Sequence, residues 1–516
     1  MYNSEQNLNL SMFRAYDIRT PSDELTLELS ERLAYANAYY FKEVLKTDKV
    51  VLCRDTRLSG AQYLEQAVEV FKNLGFKIFV YPLVSSTCMF YFSCQQHIDA
   101  AGIMFGASHN PGKDTGQKIV GPGLQPIAMN CGPEGGLQRI KELYTGGKKP
   151  EKIPGGCVKP INYLDRYVKY SMALAGVEPG ELSGLRILMD FLSGTAGFEF
   201  ASAFEIAGAE VVARNLIPNG FFPAGEPNPV IRKSTQPTLD MLRKGGYLFG
   251  ICFDGDGDRM DILDEHGNQL NPGFNLSIIA PRIRELFEDT FTGYSPQFYA
   301  DLKANPLALV ELARKGFGVH MIRNGHSQIK QSLMNNFSRQ FLGAVEESAH
   351  YYLNFPVTLS EGKKCFAATE NTLFYGLLTA KTWYNSPEKY REMIKLQSMT
   401  FREREWGYKF PDKEKRMLAL DEIEEEFIKQ GGRSMKTMAD GTELEAVIMR
   451  ENLPFVIDAS TSISKEWTQI CQRISQSEDG LARWEVSAGT EERKSEAVSM
   501  IERIAGKYTD SEKYIG

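Results

Sequence analysis

Short apolar runs alternate with stretches of helical spacing along most of the chain. "KVVLCRDTR" (49–57) reads as a buried strand, and in the "YLEQAVEVFKNLGF" that follows, apolar residues recur every three or four positions. "KIFVYPLV" (77–84) leads into a helical "CMFYFSCQQ", and "AAGIMFGAS" is a further apolar run. The rhythm returns at 185–215 as strand, Gly-rich turn, helix and strand. It returns again at 297–334 as strand, loop, helix, strand, loop and helix. Between these, "LFGICFDGDGDRMDILDEHG" (248–267) reads as two strands around an acidic turn. Strands alternating with helices predict α/β units. The tail differs: amphipathic helices at 412–432 and 491–508 bracket strand-like "EAVIMREN" (445–452) and "PFVIDAS" (454–460). The expected fold class is therefore α/β, with three similar α/β mixed-sheet domains and a C-terminal α+β domain. The expected domains are 1–160, 161–268, 269–395 and 396–516, with linkers near 146–157, 267–273 and 382–393.

Composition narrows this little. A chain of 516 residues has room for three or four domains of about 100–200 residues each. The net charge of −7 offers no basic stripe, so no nucleic-acid partner is expected. The eight cysteines are scattered without a C-x-x-C pair, which reads as buried free thiols in a reducing cytoplasm. The N-terminus is polar, and no run of about 18 apolar residues occurs, so neither a signal peptide nor a membrane span is expected. "EGKKCF" (361–366) reads as a charged turn.

The most specific local signal is "FDGDGDRMD". Asp254, Asp256 and Asp258 alternate with glycines, and residues two apart on an extended backbone point to one side. Three converging carboxylates repel unless a hard cation sits among them, and an all-oxygen donor set points to Mg²⁺ or Ca²⁺. An EF-hand loop also begins D-x-D-x-D, but it needs Gly at its sixth position, which is Arg259 here, and it needs helical flanks. Three carboxylates leave coordination positions for a phosphate oxygen, and Arg259 can add a forked donor to the same group.

"GASHNP" (106–111) places Ser108 and His109 in a Gly- and Pro-marked loop after an apolar run, with Lys118 ten residues beyond the serine. A hydrolase triad requires a G-x-S-x-G elbow. Asn110 stands where the second glycine belongs, and His109 is too close in sequence to serve as that serine's base. A turn-shaping serine is the plain alternative. With a metal loop elsewhere in the chain, a serine that carries phosphate is the better reading, with Lys118 as base or charge stabiliser.

Together these motifs resemble the α-D-phosphohexomutase superfamily, in particular its bacterial phosphomannomutase/phosphoglucomutase type. "FRAYDIR" (13–19), "CRDTRLSG" (53–60), "GASHNP", "DGDGDR" (254–259), "DLK" (301–303), "NGHS" (324–327) and "VEESAH" (345–350) follow the family's order over nearly the whole chain. The resemblance implies four domains around a central cleft. They would carry, in turn, the phosphoserine, metal, sugar-binding and phosphate-binding loops. It implies that Ser108 donates a phosphoryl group to a hexose phosphate, gives a hexose 1,6-bisphosphate that reorients, and takes the other phosphate back. One Mg²⁺ per chain would sit on Asp254, Asp256, Asp258 and the phosphate of Ser108. Lys118 and His326 are the implied acid/base pair, with Arg259, Arg19 and Lys303 near the transferring group. Tyr16 lines the site, Glu346 and Ser348 bind sugar hydroxyls, and His350 lies close by. Taken singly, His326 is an ordinary turn histidine and His350 a packed one. Three of the six histidines, 109, 326 and 350, nevertheless fall within matching motifs.

The family's final loop, R-x-S-x-T-x-P, has its counterpart in "WEVSAGTEERKSE" (484–496), which implies substrate contacts at Ser487, Gly489 and Thr490. Aligning on Gly489 and Thr490 puts Val486 at the arginine, Ala488 at the serine and Glu492 at the proline. Arg483, Arg493 or Lys494 would have to supply the charge, against Glu485, Glu491 and Glu492. The expected function is interconversion of hexose 1- and 6-phosphates by a cytoplasmic monomer or weak dimer, with no membrane partner. The alternatives are a catalytically altered relative that binds sugar phosphates and a Mg²⁺-dependent sugar phosphatase.

Overall fold

A computed structural model describes residues 8–291, 293–358, 362, 364–438, 441–475 and 480–515. Residues 1–7 of the polar N-terminus and part of the charged turn read at 361–366 lie outside the described residues. The chain divides into two compact units. The first comprises Met1–Leu270, Gly325–Ser338 and Ser348–Asn385; the second comprises Asn271–Asn324, Arg339–Glu347 and Ser386–Gly516. The stretch read as a third domain is thus shared between them. The stretch 382–393 is helical apart from Ser386, where the chain passes from the first unit to the second.

The first unit contains two mixed sheets. In one, Cys157–Pro160, Lys77–Val80, Lys49–Arg54 and Ala101–Phe105 run parallel, in that spatial order. Asp114–Val120 then returns antiparallel beside Ala101–Phe105 and pairs on its other side with Ile18–Pro21. The strand residues Val50, Leu52, Ile103 and Phe105 join Leu33, Phe41 and Phe71 of the covering helices in one buried core. That is the burial the apolar runs demanded, since parallel strands are covered on both faces. In the other sheet Glu210–Arg214, Arg186–Asp190 and Gly250–Phe253 are parallel, and Met260–Leu263 comes back antiparallel. The flanks of the acidic turn are therefore strands. A hairpin of His350–Thr358 and Lys364–Glu370 and the helix Thr372–Asn385 complete this unit.

In the second unit Gln297–Asp301 lies parallel between Gly318–Ile322 and Phe341–Glu346. The C-terminal sheet is antiparallel throughout, in the order Arg433–Thr437, Glu443–Glu451, Thr468–Ile474, Leu481–Ala488, Phe401–Lys409 and Tyr514–Ile515. Alternate residues of its strands (Ile470, Trp484, Val486, Trp406) pack with Ile423 and Ile501 of the helices Lys413–Lys429 and Glu491–Ala505. One sequence expectation fails here. "PFVIDAS" (454–460) is not a strand. The carbonyls of Pro454 and Phe455 accept from the buried Arg450 guanidinium, and the Asp458 carboxylate folds the following residues into a turn by accepting from Ser460 and Thr461. Among the described residues no helix is long and apolar enough to cross a membrane.

Candidate active site

Three loops of the first unit meet, and each leaves the carboxyl end of a buried strand, where α/β sheets present their ligand sites. After Lys49–Arg54 come Asp55 and Arg57, after Ala101–Phe105 comes the Ser108 loop, and after Gly250–Phe253 comes the acidic turn. Asp55 and Arg57 form a fully buried ion pair of 3.0 Å. Asp55 accepts the Ala107 N–H, and Arg57 donates to the carbonyls of Ser108, Asn110, Pro111 and Asp114. One guanidinium thus holds the turn that carries the serine. Gly106 is required beneath it, because a Cβ there would lie 2.5 Å from Asp55 Oδ2. Ser108 itself sits at φ 49°, in the left-handed region that non-glycine residues seldom occupy.

The serine faces the acidic turn. Ser108 Oγ donates to Asp254 Oδ2 at 2.7 Å, while His109 Nδ1 lies 3.4 Å from the same hydroxyl. Asp254, Asp256 and Asp258 are buried, and each offers a carboxylate oxygen within 4.8 Å of the others. Lys118 Nζ bridges Asp256 and Asp258, and Arg259 donates its backbone N–H to Asp254 Oδ1 at 3.2 Å. At an effective dielectric of ~20, two like charges ~4 Å apart repel by roughly 4 kcal/mol. The titration behaviour reflects this crowding. Burial, then Asp256 and Asp258, push Asp254 far above the usual carboxylate range. Burial acts the same way on Asp258 but is outweighed by Lys118 and His350, which hold it well below that range. Lys118 stays charged, since its two carboxylates outweigh the burial that would lower it. Asp256 Oδ1 is buried without a hydrogen-bond partner. An all-oxygen, buried, partly unsatisfied donor set of this kind fits a hard divalent cation.

His350 Nε2 lies 3.1 Å from Asp258 Oδ1 and 3.2 Å from Arg259 Nε, so it donates to the one or accepts from the other according to its tautomer. Ser348 Oγ lies 3.4 Å from His350 Nδ1. Arg19 donates to the Ala107 carbonyl and Asn110 Oδ1 and pairs with Asp17, which ties it to the serine loop. His326 opens the helix His326–Asn335; its ring stands edge-on to Tyr16 at 6.3 Å, and its Nε2 is buried without a partner. Burial, then Lys330 and Lys118, keep that imidazole neutral. Gly325 before it has φ 127°, and a Cβ there would lie 2.4 Å from Tyr16.

The remaining predicted residues belong to the second unit. Lys303 lies 3.6 Å from Glu405 and 3.9 Å from Glu485. Glu346 accepts from Asn324, which also donates to Asp301, a carboxyl that burial pushes up to about 7 against the pull of Lys303. Ser487 is buried within Leu481–Ala488, paired with Arg402 and Gln469 in the sheet. Gly489 donates its N–H to the Trp467 carbonyl, and Thr490 caps the helix Glu491–Ala505 by accepting the Arg493 N–H. The cations beside this loop are already paired: Arg483 with Glu405, Arg493 with Glu451, and Lys494 with Glu491.

Residues 10–130 match the family model described as phosphoglucomutase/phosphomannomutase, alpha/beta/alpha domain I, and residues 165–267 match domain II. Both matches are to domains of the α-D-phosphohexomutase superfamily. It is 27% identical over 350 residues to a phosphomannomutase from Escherichia coli, covering 66% of this chain and 73% of that protein. Its fold is similar to a phosphoglucomutase/phosphomannomutase family protein from Burkholderia thailandensis (TM-score 0.74, 18% identity, 98% of this chain and 100% of that one). It is also similar to pp63/parafusin, a phosphoglucomutase from Paramecium, in its open form (TM-score 0.70, 15% identity, 99% and 98%).

The first unit brings Ser108, His109, Lys118, Arg19, Asp254, Asp256, Asp258, Arg259 and His350 into one connected set of contacts. Lys303, Glu346, Ser487, Gly489 and Thr490 lie in the other unit. Sequence reasoning matched "CRDTRLSG" without giving Asp55 and Arg57 a task. Their signal was an Asp and an Arg two apart directly after a buried strand, a place where charges stay only if paired.

Proposed function

We propose that the protein interconverts hexose 1-phosphate and hexose 6-phosphate, of mannose and/or glucose, through a phosphorylated Ser108 and a hexose 1,6-bisphosphate. The observation that carries this reading is Ser108 Oγ at 2.7 Å from a carboxylate of a buried aspartate triad. A hydrolytic serine would instead need a G-x-S-x-G elbow that exposes it, and Asn110 stands at that elbow's second glycine. Asp254, Asp256, Asp258 and the phosphate on Ser108 would hold one Mg²⁺ per chain. Bound there, the ion would neutralise the triad and draw charge from the phosphoryl oxygens.

Transfer breaks the P–O bond to Ser108 as a P–O bond forms to a sugar hydroxyl, whose proton passes to a base. His326 is neutral, with an unpartnered Nε2, and suits that base. Lys118, kept charged by Asp256 and Asp258, suits the group that meets the departing serine oxygen. Arg19, by its contacts with the serine loop, and Arg259, beside Asp254, supply positive charge against the negative charge that develops on the phosphoryl oxygens in such a transfer. Tyr16, His109, Lys303 and His350 line the substrate; Glu346 and Ser348 take sugar hydroxyls, and Ser487, Gly489 and Thr490 take the idle phosphate. The bisphosphate then reorients and returns its other phosphate to Ser108.

The test is incubation of the protein with mannose 1-phosphate or glucose 1-phosphate, Mg²⁺ and a trace of hexose bisphosphate, beside Ser108→Ala and Asp256→Ala. Appearance of the 6-phosphate only with the unsubstituted chain is expected. Release of free phosphate instead would mark a phosphatase. A second reading, a sugar-phosphate binder of altered turnover, is favoured by the paired state of Arg483, Arg493 and Lys494. It requires hexose phosphate binding without isomerisation.

A further inference from the structure

The acidic turn is held from behind by three threonines that no motif singles out. Thr195, just ahead of the helix Gly197–Ile206, donates its N–H to the Gly255 carbonyl at 3.2 Å, with its hydroxyl 3.4 Å from the same oxygen. Thr87, the first residue of Thr87–Gln96, donates its N–H to the Asp256 carbonyl at 2.8 Å. Thr372, the first residue of Thr372–Asn385, donates its hydroxyl to the Gly257 carbonyl at 2.7 Å. Three consecutive carbonyls are therefore each taken by a threonine at, or just ahead of, the start of a different helix. The helices come from three separate stretches of the chain, all within the first unit. With the carbonyls engaged from behind, the side chains of Asp254, Asp256 and Asp258 converge, each with a carboxylate oxygen within 4.8 Å of the others.

Thr87 does more than hold backbone. Its hydroxyl donates at 2.6 Å to Asp256 Oδ2, the same oxygen that Lys118 Nζ reaches at 2.6 Å. Oδ2 is thereby occupied twice, while Oδ1 is buried and unpartnered. We infer that Thr87 is a positioning residue for the divalent cation: it commits Asp256 Oδ2 to the protein and presents Oδ1 as the ligand atom, with Thr195 and Thr372 fixing the turn on either side. The inference rests on the metal reading of the triad proposed above. It extends that reading to side chains that would not touch the ion. Hydrogen bonds to ligating carboxylates set ligand orientation, and their loss weakens metal binding by about 10–100-fold.

The experiment is calorimetric titration of Mg²⁺ and Mn²⁺ into the chelator-stripped full chain, beside Thr87→Val, Thr87→Ser and Thr372→Val, with a metal-free thermal melt of each. Valine keeps the shape and the backbone N–H and removes only the hydroxyl; serine restores the hydroxyl. The expected result is a Kd weakened by about 10-fold or more in Thr87→Val, a smaller loss in Thr372→Val, and near-native affinity in Thr87→Ser. A merely structural hydroxyl would lower the metal-free melt of Thr87→Val and leave its Kd unchanged, and that outcome overturns the inference. Thr87→Ala gives the same comparison should the valine variant not fold. No metal binding by the unsubstituted chain would overturn the metal reading itself, and this inference with it.

Discussion

Arg57 shows how one side chain can set the geometry of the turn that carries Ser108 by gripping its backbone carbonyls. It is buried, paired with Asp55, and donates to four carbonyls of the turn that carries Ser108. Arg57→Lys keeps the charge but loses the planar fork, so it will not restore function. A serine displaced by about 1 Å costs roughly 100-fold in rate, and that loss in kcat is expected for Arg57→Lys in the isomerisation assay. Arg57→Ala leaves the Asp55 carboxylate buried and unpaired, which adds a stability loss of about 3–5 kcal/mol measurable by denaturation. Glu199 gives a pH signature. It is buried, accepts from Ser86, and burial pushes its carboxyl from 4.5 up to about 8. The folded chain therefore holds a proton there that the unfolded chain releases above 4.5. Stability falls as pH rises from about 4.5 to about 8 and levels off beyond. Glu199→Gln should remove that component of the slope in melts taken across the window.

At the scale of elements, the helix His326–Asn335 is fixed by an ion pair one turn in. Lys330 Nζ lies 3.1 Å from Glu370 at the end of Lys364–Glu370 and 2.7 Å from the Tyr91 hydroxyl, all three buried. The pair ties the helix that opens with His326 to the hairpin that opens with His350. Removing one partner strands the other charge, so Glu370→Ala is expected to cost about 3–5 kcal/mol in the unfolding of the first unit, seen as an earlier denaturation midpoint. Elements of this kind were legible where their cues are local. The strand-to-turn-to-strand reading of 248–267 and the helices at 412–432 and 491–508 are present as read. "PFVIDAS" was misread because Arg450, from outside the segment, takes its carbonyls. The acidic triad and Ser108 were legible for the same local reason. The wrapping by Arg57 and the threonines behind the turn join residues far apart in sequence, and no periodicity encodes them.

At the scale of the whole molecule, the metal reading joins three stretches of sequence in one unit: the Ser108 loop, the acidic turn and the hairpin bearing His350. A ligand that binds only the folded state stabilises it by RT ln(1 + [L]/Kd), about 2.7 kcal/mol at 100 times Kd. Adding Mg²⁺ to the stripped protein should raise its melting temperature and slow amide exchange in all three stretches together. Slowing confined to 254–258 would separate the serine loop from the metal. The central claim is that Ser108 carries phosphate, and the most direct measurement is mass spectrometry of the chain after incubation with hexose 1,6-bisphosphate and Mg²⁺. One phosphoryl group on the peptide containing Ser108, removed again by hexose monophosphate and missing in Ser108→Ala, is the expected result. A chain that isomerises hexose phosphates while that peptide never gains phosphate, or that takes phosphate equally well as Ser108→Ala, would contradict it.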